Sequence, residues 1–168
     1  MFSGYKILNL ISFTATIIFN GLTIKGFGPF KPISNISNTY KNCLTPPNWT
    51  FGIWGVIYLG LLLFNIAQFI PKFQLNQTIS RINYLFPFSC LLNISWLLVF
   101  GLQTKVFILI SLLIILFLTI ILCFIQSKAK IFKNKQKHVS KIICVDIPFS
   151  LYLGWVIFAM VANLGTLI

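Results

Sequence analysis

The chain has 168 residues, of which 58% are hydrophobic and only 8% are charged. A soluble domain carries about 25% charged residues, and a domain near this length leaves about a third of its unfolded-chain surface exposed. This much apolar surface excludes a soluble enzyme or a disordered chain and predicts an integral membrane protein. A net charge of +12 would indicate nucleic-acid binding in a soluble chain. Here the basic residues lie between apolar runs, which is typical of loops that orient a membrane protein, so no nucleic-acid partner is expected.

Five apolar segments follow one another along the chain, and each has roughly the 17–25 residues that a helix needs to cross a bilayer. The runs are continuously apolar rather than alternating, which favours helices over the strands of a membrane barrel. The sequence therefore predicts one all-α transmembrane domain over residues 1–168, built as a bundle of five helices. The predicted helices are residues 7–24, 51–70, 84–100, 106–125 and 142–168.

The connections between these segments predict how the helices are arranged. Residues 25–48 form a long loop rich in Pro and Gly, and residues 71–83 form a short polar loop. Residues 101–105 form a tight turn that makes the third and fourth helices antiparallel neighbours, and residues 127–141 hold six lysines. Nine Lys and Arg residues fall on the N-terminal side of the membrane and four on the other. The positive-inside rule then places the N-terminus on the cytoplasmic side of a bacterial inner membrane, or on the equivalent side of an organellar membrane.

Aromatic residues recur at helical spacing in three of the predicted helices. Two of these faces also carry an asparagine, and lipid is a poor neighbour for an amide, so both asparagines are expected to point into the bundle. Two interpretations remain open. The faces either only pack the helices together, or they line a cavity for a flat apolar ligand held by stacking and a few hydrogen bonds. The three faces comprise Trp54 and Tyr58; Asn93, Trp96 and Phe100; and Tyr152, Trp155, Phe158, Ala159 and Asn163.

Few residues of the chain are suited to catalysis or to metal binding. The sequence has no Glu, and its single His, His138, lies in the lysine-rich loop, where we expect it to be solvated. The four cysteines have no C-x-x-C spacing, which predicts neither a metal site nor a disulfide framework. The single acid, Asp146, is a functional candidate by default because it lies within a membrane segment. Its proximity to Lys141 instead favours an interfacial acid in the first turns of the helix, paired with loop lysines.

Three motifs stand in order on the second, third and fifth predicted helices. They read PPNWTFGIWGVIY at residues 46–58, LNISW at residues 92–96 and YLGW at residues 152–155. The first resembles the PPxW…W…Y signature of the TspO/translocator-protein family, also called tryptophan-rich sensory proteins or peripheral benzodiazepine receptors. The second, with Phe100, resembles that family's LNxxW…F, and the third, with the residues that follow it, resembles its W-x-x-F…N. Five spans with a long first loop are also the family's architecture.

Two of the three motifs depart from the family pattern, which is typical of a divergent branch. Four residues separate Trp49 from Trp54 where most of the family has five, so the spacing predicts that the face of Trp54 is rotated by about 100°. Leu97 and Leu98 stand where the family usually has a proline pair in its third helix.

The resemblance implies a five-helix bundle with a ligand pocket beneath the first loop. The family's ligands are tetrapyrroles such as protoporphyrin, along with sterols and synthetic drugs. The resemblance therefore implies a receptor- or transporter-like protein whose partners are the lipid bilayer and a flat hydrophobic small molecule, with no cofactor apart from a porphyrin bound as ligand. The alternatives are an enzyme for light- or oxygen-dependent porphyrin breakdown and a structural membrane protein with a filled interior. Family members are often dimers, so a homodimer is one candidate assembly.

The expected ligand-binding residues come from the aromatic faces and the matching motifs together, and no catalytic residue is among them. Trp155 is the expected main stacking platform, because it lies well inside the fifth helix and Ala159 leaves room for a flat ring one turn below. Trp49 stands at the mouth of the second helix, where it suits the interfacial belt of aromatic residues, and is expected to matter less. The full set is Pro46, Pro47, Trp49, Trp54, Tyr58, Asn93, Trp96, Phe100, Tyr152, Trp155, Phe158, Ala159 and Asn163.

Overall fold

The computed structural model describes residues 4–30, 46–73, 75–131 and 139–167, and this part of the chain is almost entirely helical. Short 3-10 turns occur at Asn48–Gly52 and Pro71–Phe73, and a single helical turn at Val139–Lys141 leads into a π-helical stretch, Ile142–Asp146. The α-helices are α1 (Gly4–Lys25), α2 (Ile53–Ala67), α3 (Asn76–Ile82), α4 (Leu85–Gly101), α5 (Lys105–Ala129) and α6 (Ile147–Gly165).

Two of these elements differ from the sequence-based prediction. The apolar segment at residues 51–70 begins as a 3-10 turn and continues as α2, which ends at Ala67. The stretch predicted as a polar loop holds the short helix α3, whose Ile79 and Ile82 are only 1% and 0% exposed. Two isoleucines three residues apart anchor one helical turn against α5, but so short an apolar pattern inside a polar segment gives little signal in the sequence.

The surface of the described bundle is apolar where a soluble protein would be polar. On α1 the residues that face the interior are mostly polar, among them Asn9, Thr16 and Asn20, whereas exposed positions carry large aliphatic side chains such as Ile11 and Ile18. Such an inverted helix is stable only where the surroundings are hydrocarbon. Within the described residues, four helical segments are long and apolar enough to cross a membrane: Gly4–Lys25, Asn48–Ala67, Lys105–Ala129 and Val139–Gly165. These features identify a multi-pass membrane protein.

The five long helices pack as a closed ring. Helix α1 packs against α2 and α4, α4 against α5, α5 against α6, and α6 back against α2. The link between α4 and α5 is short, which confirms the predicted tight turn, and Thr104 caps α5 by accepting a hydrogen bond from the Phe107 N–H at 3.4 Å. Side chains from α2, α4 and α6 therefore meet in the middle of the ring.

The start of α6 shows why Asp146 is tolerated in an apolar segment. The Lys141 ammonium donates to Asp146 Oδ1 at 2.7 Å, and both side chains are largely buried. The predicted pairing of this acid with a lysine at the loop end is thus confirmed. Pro148 lacks an N–H and crowds the carbonyl four residues before it, and that carbonyl belongs to Cys144, inside the π-helical stretch. A π-helical turn is one of the ways in which a helix accommodates such a break.

Candidate ligand-binding site

Trp54 lies at the centre of an aromatic cluster formed by α2, α4 and α6. Its ring stacks on Tyr58 with centroids 5.3 Å apart and planes 19° apart, and it lies 6.4 Å from Trp96. Tyr152 and Trp155 meet it edge-on at 6.0 and 6.3 Å. We call these five residues the tryptophan cluster, and they bring together members of all three aromatic faces that the sequence predicts.

The rotation predicted for Trp54 does not remove its side chain from this cluster. The preceding turn, Asn48–Gly52, is a 3-10 helix, which advances about 120° per residue where an α-helix advances about 100°. Trp49 to Gly52 spans three steps, over which the difference amounts to about 60°, so it offsets part of the rotation expected from the shorter spacing after Trp49.

Further aromatic rings extend the cluster toward the ends of α4 and α6. Phe100 stacks on Trp96 at 5.5 Å, and Phe158 stacks on Trp155 at 5.2 Å. Phe51, from the 3-10 turn, meets Trp155 edge-on at 6.4 Å. Offset or edge-on rings at these separations attract one another beyond the effect of burial alone.

Two buried amides and a phenol join α1 to this cluster. Asn20 Nδ2 donates to Asn93 Oδ1 at 3.3 Å, and the Tyr58 hydroxyl donates to the same oxygen at 3.5 Å. Asn93 is fully buried, as its predicted inward orientation requires. The sequence-based prediction missed Asn20, although its spacing from Thr16 and Thr23 marks a polar face on α1.

A second buried amide lies between α5 and α6. Asn163 Nδ2 donates to the Ser111 hydroxyl at 2.9 Å, and Asn163 is only 2% exposed. Its Oδ1 has no partner among the described residues, and the same holds for the indole Nε1 atoms of Trp96 and Trp155. Two donors and one acceptor are therefore buried without protein partners near one another, and such groups are commonly satisfied by water or by a ligand.

Two spaces adjoin the aromatic residues, and they differ greatly in size. A cleft of about 680 Å³ lies between α1 and α2, with Trp54, Tyr58 and Asn20 among its lining residues. A cavity of about 40 Å³ lies on the α4–α6 side, where there is room for roughly one water molecule. Phe51 lines both spaces. The cavity is lined by Pro46, Phe51, Trp96, Phe100, Trp155, Phe158, Ala159, Ala162, Asn163 and Thr166.

The predicted site residues are thus divided between these two spaces. Trp54 and Tyr58 line the cleft, whereas Trp155 and its neighbours line the small cavity. Asn93 and Tyr152 are buried between helices, and Pro47 and Trp49 are exposed, with Trp49 81% exposed. Residues 31–45 of the first loop, expected to cover the pocket, lie outside the described residues, and so does His138.

Aromatic, aliphatic and neutral polar residues line the two spaces. None of the residues that line either space within the described ranges is an acid, a lysine, an arginine or a histidine. No group of three or more His, Cys, Asp or Glu side chains suited to a metal ion occurs in the described part of the chain. The arrangement can stack against a planar apolar group and donate hydrogen bonds to its polar substituents.

Together, the fold and the site define a multi-pass helical membrane protein with an aromatic interior. The sequence model of the TSPO-like protein family matches residues 6–168, nearly the whole chain. The chain therefore belongs to the TSPO-like family, in agreement with the resemblance of its three motifs. No curated protein and no solved structure matches the chain.

Proposed function

We propose that the protein binds a flat, largely apolar ligand of the tetrapyrrole class, as a receptor- or transporter-like protein of the membrane. The observation that carries this proposal is the 680 Å³ cleft with the stacked Trp54–Tyr58 pair in its wall. Sites for small molecules typically measure about 300–1,000 Å³, so the cleft has a suitable size. An aromatic wall of this kind favours a planar ligand over a globular one.

The unpartnered indole donors lie beside the small cavity and not in the cleft. Trp96 Nε1 and Trp155 Nε1 are buried donors without partners among the described residues, and both residues line the cavity on the α4–α6 side. An unmade buried hydrogen bond costs about 1–3 kcal/mol, so a ligand that extends from the cleft past the tryptophan cluster would gain from acceptor groups at that edge, such as the carboxylates of protoporphyrin. No His, Cys or Met lines either space in the described residues, so stacking and enclosure hold the ligand without strong ligation of a central iron.

The proposed topology has five spans with the N-terminus on the cytoplasmic or equivalent side. Helix α4 has 17 residues, about 26 Å at 1.5 Å per residue, and it closes the ring between α1 and α5. Labelling of single-cysteine variants at residues 36 and 135 in intact cells tests the orientation. An impermeant reagent should label residue 36, and labelling of residue 135 alone would overturn the assignment.

Titration of the purified protein with protoporphyrin, followed by tryptophan fluorescence quenching, tests the function. Trp54→Ala should weaken binding strongly, whereas Trp49→Ala should not, because Trp49 is exposed and lines neither space. Saturable binding that both variants retain would refute the site, and no saturable binding by the parent protein would refute the ligand class. Bleaching of the bound porphyrin in light and air, with a stable complex in anaerobic darkness, would instead support the enzymatic alternative.

A further inference from the structure

The cleft between α1 and α2 has its mouth on the outer side of the helix ring. Ile17 and Ile24 both line it and are 39% and 76% exposed, so they lie at its rim. They stand seven residues apart on α1, which corresponds to about 10 Å along the helix axis. Both fall inside Gly4–Lys25, a segment that is long and apolar enough to span a membrane. In the described residues the mouth of the cleft therefore lies along the side of a spanning helix, where lipid chains are the surroundings.

Glycines keep this mouth wide. Gly21 on α1 and Gly52 and Gly55 beside it on the α2 side are exposed, and a Cβ added at any of them would meet no described atom within 4 Å. Gly60, one turn further along α2, behaves differently because its added Cβ would lie 3.0 Å from the ring of Pro148. Helix α2 is therefore tightly packed against α6 and open toward α1.

The opposite end of the α1–α2 pair is closed by hydrogen bonds. The Lys6 ammonium donates to the Gln68 carbonyl at 2.7 Å, and Asn9 Nδ2 donates to Gln68 Oε1 at 3.0 Å. Asn9 and Gln68 are buried, and a cation at the carboxyl end of a helix is favourable. The two helices are thus held together at one end and separated at the other.

The cleft leads from an apolar rim to aromatic rings at its inner wall. Beyond Ile17 and Gly21 lie the stacked rings of Trp54 and Tyr58. The buried amide of Asn20 is also in the wall, and its Nδ2 donates to Asn93 Oδ1. The exposed Asn48 lines the cleft as well, so its polar groups are not confined to the inner wall. An apolar ring system dissolved among lipid chains would pass the two isoleucines and stack on Trp54.

We propose that the outer mouth of this cleft, at Ile17 and Ile24, is a lateral entrance through which a planar apolar ligand passes from the hydrocarbon of the bilayer to Trp54 and Tyr58 at the inner wall. The inference builds on the proposed function, because it supplies the route to the same site. It also specifies the source of the ligand, which is the membrane and not the water on either side.

Quenching by lipid tests the entrance without any porphyrin. The protein is reconstituted into vesicles of phosphatidylcholine with brominated acyl chains, in a variant whose only tryptophan is Trp54 and in another whose only tryptophan is Trp96. Trp54 should be quenched strongly, because it lines the cleft, whereas Trp96 is 4% exposed and does not line it. Equal, weak quenching of both tryptophans would overturn the proposal. Circular dichroism of each variant establishes that it is folded.

Ligand kinetics in an otherwise unchanged protein provide the second test. Gly21→Leu places a large side chain at the rim and should slow protoporphyrin uptake from vesicles about ten-fold, which corresponds to about 1.4 kcal/mol of added barrier. Release into the vesicles should slow as well, because the ligand crosses the same rim in both directions. The control is Gly154→Leu on α6, where a Cβ also meets no described atom within 4 Å but the residue lines neither space.

The two tests separate the entrance from the proposed function. Quenching of Trp54 by brominated lipid together with no porphyrin binding would support the open cleft and refute the ligand. Porphyrin binding with unchanged uptake in Gly21→Leu would refute the entrance while the binding site stands. A Gly21→Leu variant that loses affinity at an unchanged rate of uptake would also refute it, since the residue would then line the binding position and not the route.

Discussion

The same three helices build two aromatic clusters, and the two are organised in opposite ways. Toward one end of the ring Phe64, Phe86 and Phe149 meet edge-to-face with centroids 5.1–5.8 Å apart, and all three are fully buried. Toward the other end α2, α4 and α6 contribute the tryptophan cluster, in which Trp54 and Trp155 are only partly buried. We call the first group the phenylalanine cluster.

The difference lies in polar atoms and in free space. The phenylalanine cluster has no hydrogen-bonding side-chain atoms, and none of its members lines either of the two spaces at the aromatic residues. The tryptophan cluster carries buried indole N–H groups without protein partners and adjoins both spaces. An unmade buried hydrogen bond is costly, so the second cluster contributes less to stability than its aromatic area alone would give. One end of the ring is thus a core, and the other is a candidate site.

The largest expected effect separates the two clusters by stability. Phe64→Ala removes a fully buried ring and leaves a cavity, so the free energy of unfolding should fall by about 3–5 kcal/mol. Unfolding titrations in mixed detergent micelles measure it. Phe124→Ala on α5 is the control, because Phe124 is 53% exposed on the outer face and should change stability far less. Equal losses in the two variants would contradict the assignment of the phenylalanine cluster as the core.

Truncation within the tryptophan cluster should act mainly on affinity. By analogy with stacking of bases on aromatic side chains, Trp54→Ala should cost on the order of 1–3 kcal/mol of porphyrin binding, which is roughly five- to 150-fold in Kd. Trp155→Ala should cost less, because Trp155 lines the 40 Å³ cavity and not the cleft. Titration of both variants with protoporphyrin, followed by fluorescence quenching, measures which substitution weakens binding more. A larger loss at Trp155 would restore it as the main platform, as its place in the sequence suggests.

Alanine substitutions at two glycines of α2 test whether the side that faces α6 is packed more tightly than the side that faces α1. Gly60→Ala brings a Cβ to 3.0 Å from the rigid ring of Pro148. Overpacking costs about 1–3 kcal/mol, and the gain of up to about 1 kcal/mol in helix propensity offsets part of it. Gly55→Ala meets no described atom within 4 Å and should be neutral or slightly stabilising. Thermal unfolding in detergent compares them, and a stabilised Gly60→Ala variant would contradict the close approach of α2 and α6.

The sequence predicts the aromatic faces well because helical spacing alone brings such residues together. It does not predict the phenylalanine cluster, since the chain has 18 phenylalanines and spacing cannot distinguish the three that meet. The sequence does not predict the cleft either, because the space in front of Gly21 and Gly55 depends on the distance between α1 and α2. The sequence predicts Trp155 as the main stacking platform from the face it occupies, but the free volume beside that face is a property of the packed bundle and is not predicted by the sequence.

The smallest expected effect concerns the hydrogen bond between α5 and α6. Asn163→Leu and Ser111→Ala each remove the bond of 2.9 Å between these side chains, and measured membrane hydrogen bonds average about 0.6 kcal/mol. Both variants should therefore lower the free energy of unfolding slightly and by similar amounts.

Binding distinguishes the two variants. Asn163 lines the cavity beside Trp155 and has a buried Oδ1 without a partner in the described residues, whereas Ser111 does not line it. Porphyrin affinity should fall in Asn163→Leu and remain near that of the parent protein in Ser111→Ala, because only the first variant removes the amide that faces the cavity. Parallel titrations and melting curves of the two variants measure both quantities. Unchanged affinity in Asn163→Leu, together with the expected small loss of stability, would show that this amide only joins helices and that the site does not extend to the α5–α6 side.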